Sequence, residues 1–233
     1  VLPERAKPGA RLIDTHPLNL EVCEIGITPN RGDCLSILGL AREASVAFGL
    51  PLTVPKVALK EDAQTAASRM SVGIADPEGC PLYYGRIIED AALAPSPAWM
   101  RYRLKAMGIR SHSNVVDVTN YVLMELGHPL HSFDLNALAG GKIIVKRAAN
   151  GQKFTTLDGV ERELNASDLL ICDAEKAVAL AGVMGGANSE IGESSRAVFL
   201  EAAIFEPMSI RRTARRLHLH SESSYRFERG VDQ

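Results

Sequence analysis

A succession of short strand-like runs beginning at Ser71 is the feature that most constrains how this 233-residue chain can fold. Such runs recur as far as Ala202, and only a few helical segments interrupt them, at uneven spacing. Two of the runs are joined by Asp158-Gly159, a strong hairpin signal. A doubly wound sheet needs regular alternation of strands and helices, so the pattern favours an antiparallel or mixed β core with helical cover.

The residues ahead of these strands predict a small, partial helical domain over 1–55. Asp33 or Ser36 can cap a helix there, Gly49 stands where a C-cap belongs, and Pro51 prevents continuation. The predicted apolar face of this helix consists of Ile37, Leu38, Ala41, Ala44 and Phe48.

A polar stretch over 56–69 predicts a linker, and 70–233 then forms the main domain. Ser96-Pro97 is expected to start a helix that ends at Gly108, with Trp99 facing inward. Two further helices are predicted over Val118–Leu126 and Pro207–Leu217. The predicted strands are Ser71–Ala75, Leu82–Glu89, Lys142–Ala148, Phe154–Leu157, Val160–Leu164, Asp168–Asp173, Ala177–Val183 and Ala197–Ala202.

The composition excludes several classes of function. With 46% hydrophobic and 23% charged residues and a net charge of −2, the chain is unlike a nucleic-acid binder that depends on concentrated Lys and Arg. No apolar run approaches the ~20 residues of a membrane span, and residues 1–14 carry no secretory signal. Cys23, Cys34, Cys80 and Cys172 lack zinc-site or disulfide spacing, which favours free thiols in a reducing cytoplasm.

Missing motifs narrow the chemistry further. The chain has no P-loop, no GxGxxG loop after a strand, no GxSxG elbow and no HExxH helix. We therefore expect no cofactor and no metal, and neither a covalent hydrolase nor a zinc protease. The chain begins at Val1 instead of Met and stops at Gln233, so we expect a fragment of a longer protein.

His128 and His131 follow a predicted helix end at Gly127. Two histidines three residues apart can bind a metal, but no third ligand lies near them in sequence. The remaining interpretations are a general base or orienting donor on a loop that faces a pocket, or a histidine of the surface or core.

Two other positions in the strand region suggest a binding site. Gly185-Gly186 after a strand indicates either a backbone that approaches another group closely or a tight turn. Glu201 follows the apolar residues of a strand, so its carboxylate is either a solvated strand end, paired, or functional.

Arginines near helix ends allow two interpretations each. Arg110 can complement a helix dipole or contact a ligand. The arginines of the last predicted helix form either a solvated face or a contact to nucleic-acid phosphates. These are Arg211, Arg212, Arg215 and Arg216.

Five motifs in fixed order connect these positions. They are Thr28-Pro-Asn-Arg-Gly-Asp-Cys-Leu-Ser36, Asn114-Val-Val-Asp-Val-Thr-Asn-Tyr121, Glu125-Leu-Gly-His-Pro-Leu-His-Ser-Phe-Asp134, Leu180-Ala-Gly-Val-Met-Gly-Gly186 and Ser224-Tyr-Arg-Phe-Glu-Arg-Gly-Val-Asp232. Together they resemble the editing region of the beta subunit of bacterial phenylalanyl-tRNA synthetase, over essentially the whole chain.

The resemblance implies an α+β fold: a β-rich, three-layer domain that contains a β-sandwich with helical cover, preceded by a small helical segment. It implies hydrolysis of the ester joining mischarged tyrosine to phenylalanine tRNA, without amino-acid activation by this fragment. The implied partners are the acceptor end of that tRNA, the tyrosine moiety, and the alpha subunit in the full heterotetramer, with no membrane.

The resemblance also assigns roles to individual residues. His131 would orient or activate the hydrolytic water, and Ser221 and Arg110 would hold the terminal ribose and phosphate. Gly185 and Glu201 would recognise the side chain. Ser223 would also line the pocket for the amino-acid side chain. Ser221 and Ser223 stand where the family commonly has Thr and Ala.

An editing site that requires a hydroxyl can distinguish tyrosine from phenylalanine better than a phenylalanine-binding pocket can. Cognate phenylalanine in such a site would leave the Glu201 carboxylate unpaired.

The alternative function is a non-catalytic module of the synthetase that binds tRNA or another subunit. A free-standing deacylase or peptide-binding relative is disfavoured by the helical segment over 1–55.

Overall fold

The computed structural model describes residues 7–11, 13, 19–54 and 56–231. Parts of the predicted unit over 1–55 and the motif end at Asp232 therefore lie outside the described residues. The α-helices within the described residues are α1 (Ile37–Phe48), α2 (Ala98–Ala106), α3 (Asn114–Leu126), α4 (Pro207–Arg216) and α5 (Glu222–Phe227). The strands are β1 (Ser71–Ile74), β2 (Leu82–Ile88), β3 (Leu130–Asp134), β4 (Lys142–Arg147), β5 (Lys153–Thr155), β6 (Glu161–Glu163), β7 (Leu169–Cys172), β8 (Ala177–Leu180), β9 (Met184–Gly185) and β10 (Val198–Ile204).

The described strands form three sheets. The largest has the order β1-β4-β7-β8-β9, in which β1 and β4 run parallel and the other neighbours antiparallel. A second, fully antiparallel sheet has the order β2-β10-β3. The third is the β5-β6 hairpin, where Gly159 has φ +76°. The hairpin predicted at Asp158-Gly159 is confirmed, with shorter strands and a longer connection than the pattern suggested.

One hydrophobic core joins the sheets and the C-terminal helices. Ile143 and Leu170 come from the five-stranded sheet, Phe133 and Phe199 from the three-stranded sheet, and Ile210 from α4. The predicted α+β class, a β-rich core with helical cover, is confirmed. Within the described residues, no helix combines the length and apolar character needed to cross a bilayer.

Helix caps follow the sequence signals closely. Ser36 caps α1 by accepting a hydrogen bond from the Gly39 amide, and Gly49 ends the helix in the left-handed conformation. Of the two predicted caps, Ser36 is therefore correct. The predicted helix at Val118 begins earlier, at Asn114, because Ser113 caps it through the Val116 amide.

Several helix details differ from the predictions. Ser96 does not cap α2, because its hydroxyl donates to the buried carboxylate of Asp117, and Pro97 takes the cap position. Trp99 was expected to face inward, but it is 44% exposed and packs edge-on against Tyr121. The predicted apolar face of α1 is largely exposed, with Phe48 at 75%.

Two elements near the candidate site were missed. The segment around His131 was expected to be a loop, but it forms β3, whose backbone pairs with β10. Helix α5 was not predicted, although Ser221 and Ser224 form a reciprocal capping box at its start.

The first helical unit contacts the main domain directly. The Arg226 guanidinium on α5 donates to the Leu35 carbonyl through Nε at 3.2 Å and through Nη2 at 3.0 Å. A Cβ on Gly32 would lie 2.7 Å from the Gly230 carbonyl oxygen, so the two segments touch along their backbones. The division into 1–55, 56–69 and 70–233 stays a prediction.

Candidate substrate pocket

The three-stranded sheet places two of the predicted site residues, Glu201 and His131, next to each other. Glu201 on β10 pairs directly with His131 on β3 and with Gly85 on β2. Directly paired residues project from the same face of a sheet, so the carboxyl group and the imidazole share one surface.

Glu201 lies within β10 and is 6% exposed, so its interpretation as a solvated strand end is wrong. Burial raises its pKa from 4.5 to about 7, and a hydrogen bond from Tyr83 partly offsets the rise. The Tyr83 hydroxyl donates to Glu201 Oε2 at 2.8 Å. The expectation that a phenylalanine ligand leaves this carboxyl group unpaired is therefore wrong, since the protein supplies one partner itself.

The His131 imidazole is uncharged at neutral pH. Burial among the sheet side chains lowers its pKa from 6.5 to about 4. The ring stands edge-on to Phe133, with ring centroids 4.5 Å apart. A neutral imidazole has one nitrogen able to accept a proton, which a general base requires.

Gly185 allows the two sheets to meet at His131. A Cβ on Gly185 would lie 2.6 Å from His131 Cε1 and 2.9 Å from Nε2. Any larger residue would push the imidazole away. Of the two interpretations of Gly185-Gly186, close approach is correct, and the group approached is a side chain of this protein.

A cavity of about 600 Å³ lies where the two sheets, α3 and α5 converge. Its volume is within the range of small-molecule sites. Five of the six predicted site residues line it: His131, Gly185, Glu201, Ser221 and Ser223. These residues are separated by up to 92 positions in the sequence, from 131 to 223, so only the fold brings them together.

The two serines of the pocket are already hydrogen-bonded. Ser221 Oγ donates to the Val183 carbonyl at 2.8 Å and accepts from the Ser224 amide at 3.0 Å. Ser223 Oγ donates to the Gly182 carbonyl at 3.2 Å. Each hydroxyl therefore offers a ligand an acceptor lone pair more readily than a hydrogen.

Arg110 is not among the residues that line the cavity, and it is exposed. The segment after it is fixed by Asp117, a fully buried carboxylate that accepts from Ser111 Oγ at 2.5 Å and from the His112 amide at 2.8 Å. His112 lines the cavity, so Arg110 lies two residues from its wall.

The arginines of α4 do not act as one set. Arg212, Arg215 and Arg216 are exposed, and Arg216 in addition forms a salt bridge with the buried carboxylate of Asp168. Their exposure fits both interpretations of this helix, so the choice between a solvated face and a contact to phosphates stays a prediction.

Sequence inspection missed polar residues that also line the cavity, notably Thr119 and Asn120 on α3. Adjacent polar residues inside an otherwise apolar helix were the available signal. It also missed Tyr83, whose partner Glu201 is 118 positions away. No local pattern identifies such a pair.

The chain is similar to known proteins over its whole length. Residues 79–233 match the model of the B3/4 domain family. The phenylalanine–tRNA ligase beta subunit of Oleidesulfovibrio alaskensis is 63% identical, and that of Nitratidesulfovibrio vulgaris 62%, over all 233 residues. The chain spans 29% of the length of each relative.

A solved N-terminal fragment of the phenylalanyl-tRNA synthetase beta subunit from Pyrococcus horikoshii is also similar, with 16% identity and a TM-score of 0.43. That match covers 81% of this chain and 59% of the other. The resemblance drawn from the ordered motifs is confirmed by the family match and by the identities across the whole chain. The chain belongs to the B3/4 domain family, as found in phenylalanine–tRNA ligase beta subunits.

Proposed function

We propose that this chain hydrolyses the ester that joins tyrosine to the 3′ end of mischarged phenylalanine tRNA. One observation carries the proposal: His131 and Glu201 pair directly across neighbouring strands and line the same cavity. An uncharged base beside a buried carboxyl group suits the hydrolysis of an activated ester whose side chain ends in a hydroxyl.

In this proposal His131 orients the attacking water and accepts its proton. With a pKa of about 4, the imidazole is uncharged at neutral pH, so one ring nitrogen can accept a hydrogen bond from the water and takes up its proton as the water attacks the ester. An aminoacyl ester is already activated, so a well-positioned water suffices without a nucleophilic side chain. Gly185 supports this role because it leaves room for the ring.

Glu201 recognises the phenolic hydroxyl of the tyrosine side chain. Its Oε2 is bonded to Tyr83, which leaves Oε1 for the ligand. Near pH 7 the carboxyl group is present in both protonation states. A phenol can donate to the ionised form and accept from the protonated form, whereas a phenylalanine ring does neither.

The remaining assignments concern the tRNA end. Ser221 would accept a hydrogen bond from the terminal ribose, and Ser223 would line the side-chain pocket. Arg110 would contact a phosphate outside the cavity, where its exposure suits an electrostatic contact. Binding to phenylalanine tRNA and assembly with an alpha subunit are proposals for the longer protein, since the chain spans 29% of its relatives.

Deacylation of Tyr-tRNA by the chain tests the function. We expect hydrolysis of Tyr-tRNA to exceed that of Phe-tRNA, and His131→Ala to lower the rate by about 10²-fold, a typical contribution of a general base. His128→Ala is the matched control, because His128 is not among the cavity-lining residues. We expect a much smaller loss for this variant.

Thermal melts of both variants separate chemistry from folding. Equal losses of rate with intact folding would contradict the assignment of His131. The function itself would be contradicted if the wild-type chain did not hydrolyse Tyr-tRNA, either alone or within the longer subunit.

A further inference from the structure

Tyr83 is a buried phenol that contacts the proposed recognition residue Glu201 and has been given no role of its own. It is 8% exposed and lies on β2, where it pairs with Ala203. Ala203 and Glu201 are two residues apart on β10, so Tyr83 and Glu201 project from the same face. Glu201 lines the cavity, whereas Tyr83 is not among the residues that line it.

The bond between Tyr83 and Glu201 restricts the carboxyl group. Because the phenol donates to Oε2 at 2.8 Å, rotation about the last side-chain bond would break a buried hydrogen bond. The carboxyl group is therefore held in one orientation, with Oε1 as the oxygen left for a ligand.

We propose that Tyr83 is a specificity-determining positioning residue that fixes Glu201 so that a single carboxyl oxygen meets the phenol of a bound tyrosine. This inference rests on the proposed function. Without Tyr83, the carboxyl group can rotate or bind water through both oxygens, and recognition of the ligand hydroxyl becomes weaker. Contacts to the ring and to the amino-acid backbone do not involve Tyr83 and should persist.

The same bond affects the pH at which recognition changes. Four titratable groups converge here: Tyr83 and Cys80 from β2 and its approach, His131 from β3, and Glu201 itself. Burial raises the pKa of Cys80 to about 12 and that of Tyr83 well above its ordinary value, while it lowers that of His131 to about 4. Between about pH 5.5 and 8.5, Glu201 is the member of this set that titrates.

Calorimetry of the 233-residue chain with tyrosine and with phenylalanine, over that pH range, provides the test. For Tyr83→Phe we expect about fivefold weaker tyrosine binding and unchanged phenylalanine binding, in line with loss of one hydrogen bond. In the wild type the hydrogen bond from Tyr83 lowers the pKa of Glu201. Its loss in Tyr83→Phe should raise that pKa, so the midpoint of the pH dependence of tyrosine binding should move to higher pH. Tyr84→Phe is the matched control, since Tyr84 projects from the opposite face and is 65% exposed.

A second background shows whether Tyr83 acts through its partner. In the Glu201→Ala background, the further change Tyr83→Phe should alter neither the affinity for tyrosine nor the pH dependence of that affinity. Should Tyr83→Phe fail to fold, Tyr83→His keeps a ring and a donor and should retain part of the preference for tyrosine.

The outcomes separate this inference from the function on which it rests. If the wild type binds tyrosine and Tyr83→Phe binds it with the same affinity and the same pH midpoint, the role of Tyr83 is overturned. The proposed function is not affected by that result. The role of Tyr83 would also be overturned if Tyr83→Phe weakened tyrosine binding equally in the wild-type and in the Glu201→Ala background. A wild-type chain that binds tyrosine no better than phenylalanine would overturn the proposed recognition by Glu201, and this inference with it.

Discussion

Glu201 is 6% exposed, and its carboxyl group accepts a hydrogen bond from Tyr83 within the three-stranded sheet. Its pKa is raised to about 7 because burial penalises the charged form more strongly than the phenol stabilises it. The folded chain therefore binds this proton more tightly than the unfolded chain does. At high pH the buried charge therefore costs stability.

This shift predicts a pH-dependent difference between wild type and Glu201→Gln. Below about pH 4.5, Glu201 is protonated in both the folded and the unfolded wild-type chain. The wild type and Glu201→Gln should therefore have similar unfolding free energies at that pH. As the pH rises through about 7, the wild type loses stability and the variant does not. A shift from 4.5 to about 7 corresponds to about 3 kcal/mol at full burial, so we expect the variant to be more stable by up to that amount at pH 8.

Urea unfolding at several pH values measures this difference. Glu175→Gln is the control, because Glu175 is exposed and the change should have little effect at any pH. A constant difference between wild type and Glu201→Gln from pH 5 to 8 would contradict the raised pKa. Protonation of His131 destabilises both proteins as the pH falls from 6.5 towards about 4, so it does not mimic the predicted trend.

At the scale of elements, the pocket depends on the place where the edge strand β9 meets β3. Gly185 on β9 lies against the His131 ring, with no room for a Cβ between them. The position of the imidazole is thus set by contact between two sheets. The backbone of β3 holds it from one side through its pairing with β10.

Gly185→Ala is predicted to displace the His131 imidazole. Its Cβ would lie 2.6 Å from His131 Cε1, so the ring must move, and we expect Tyr-tRNA hydrolysis to fall at least about tenfold. Unfolding free energy should fall by about 1–3 kcal/mol, as in other overpacked sites. Gly73→Ala is the control within a strand, because its Cβ would meet only the Ile143 carbonyl oxygen, at 4.0 Å. Loss of stability in Gly185→Ala with full hydrolytic activity would show that the ring position is not critical.

At the scale of the whole molecule, the helical unit that contains α1 is held by the last described helix of the chain. Arg226 is 4% exposed and donates twice to the Leu35 carbonyl, while its Nη1 donates to Glu222 Oε2 at 2.6 Å. The guanidinium therefore bridges two segments separated by 191 positions. The order of the chain places these segments at opposite ends, and the fold closes them on each other.

We predict that Arg226→Lys loosens this connection. Lysine keeps the charge but lacks the planar fork that reaches one carbonyl through two N–H groups. Unfolding free energy should fall by about 1–2 kcal/mol, and hydrogen exchange should quicken in α1 before it changes in the sheets. The exposed Arg212→Lys is the matched control. Unchanged protection of α1 in Arg226→Lys would mean that other contacts hold the helical unit.

Much of the local structure was predictable because its causes are local. Ser36, Gly49 and Gly127 act as helix caps where the sequence placed them, and Asp158-Gly159 turns a hairpin. The prediction failed at β3, because this strand depends on hydrogen bonds to β10, more than 60 positions away. It failed at Ser96 for a similar reason, since a buried carboxylate distant in sequence captures the hydroxyl.

Ordered motifs and local propensities were enough to predict the family, the α+β class and five of the residues that line the pocket, because that information is carried locally along the chain. The charge state and the position of those residues follow from the folded structure. Burial and pairing with Tyr83 place the pKa of Glu201 near 7, and contact with Gly185 positions His131. Charge state and side-chain position depend on neighbours distant in sequence, because solvent exclusion and hydrogen bonding act through space.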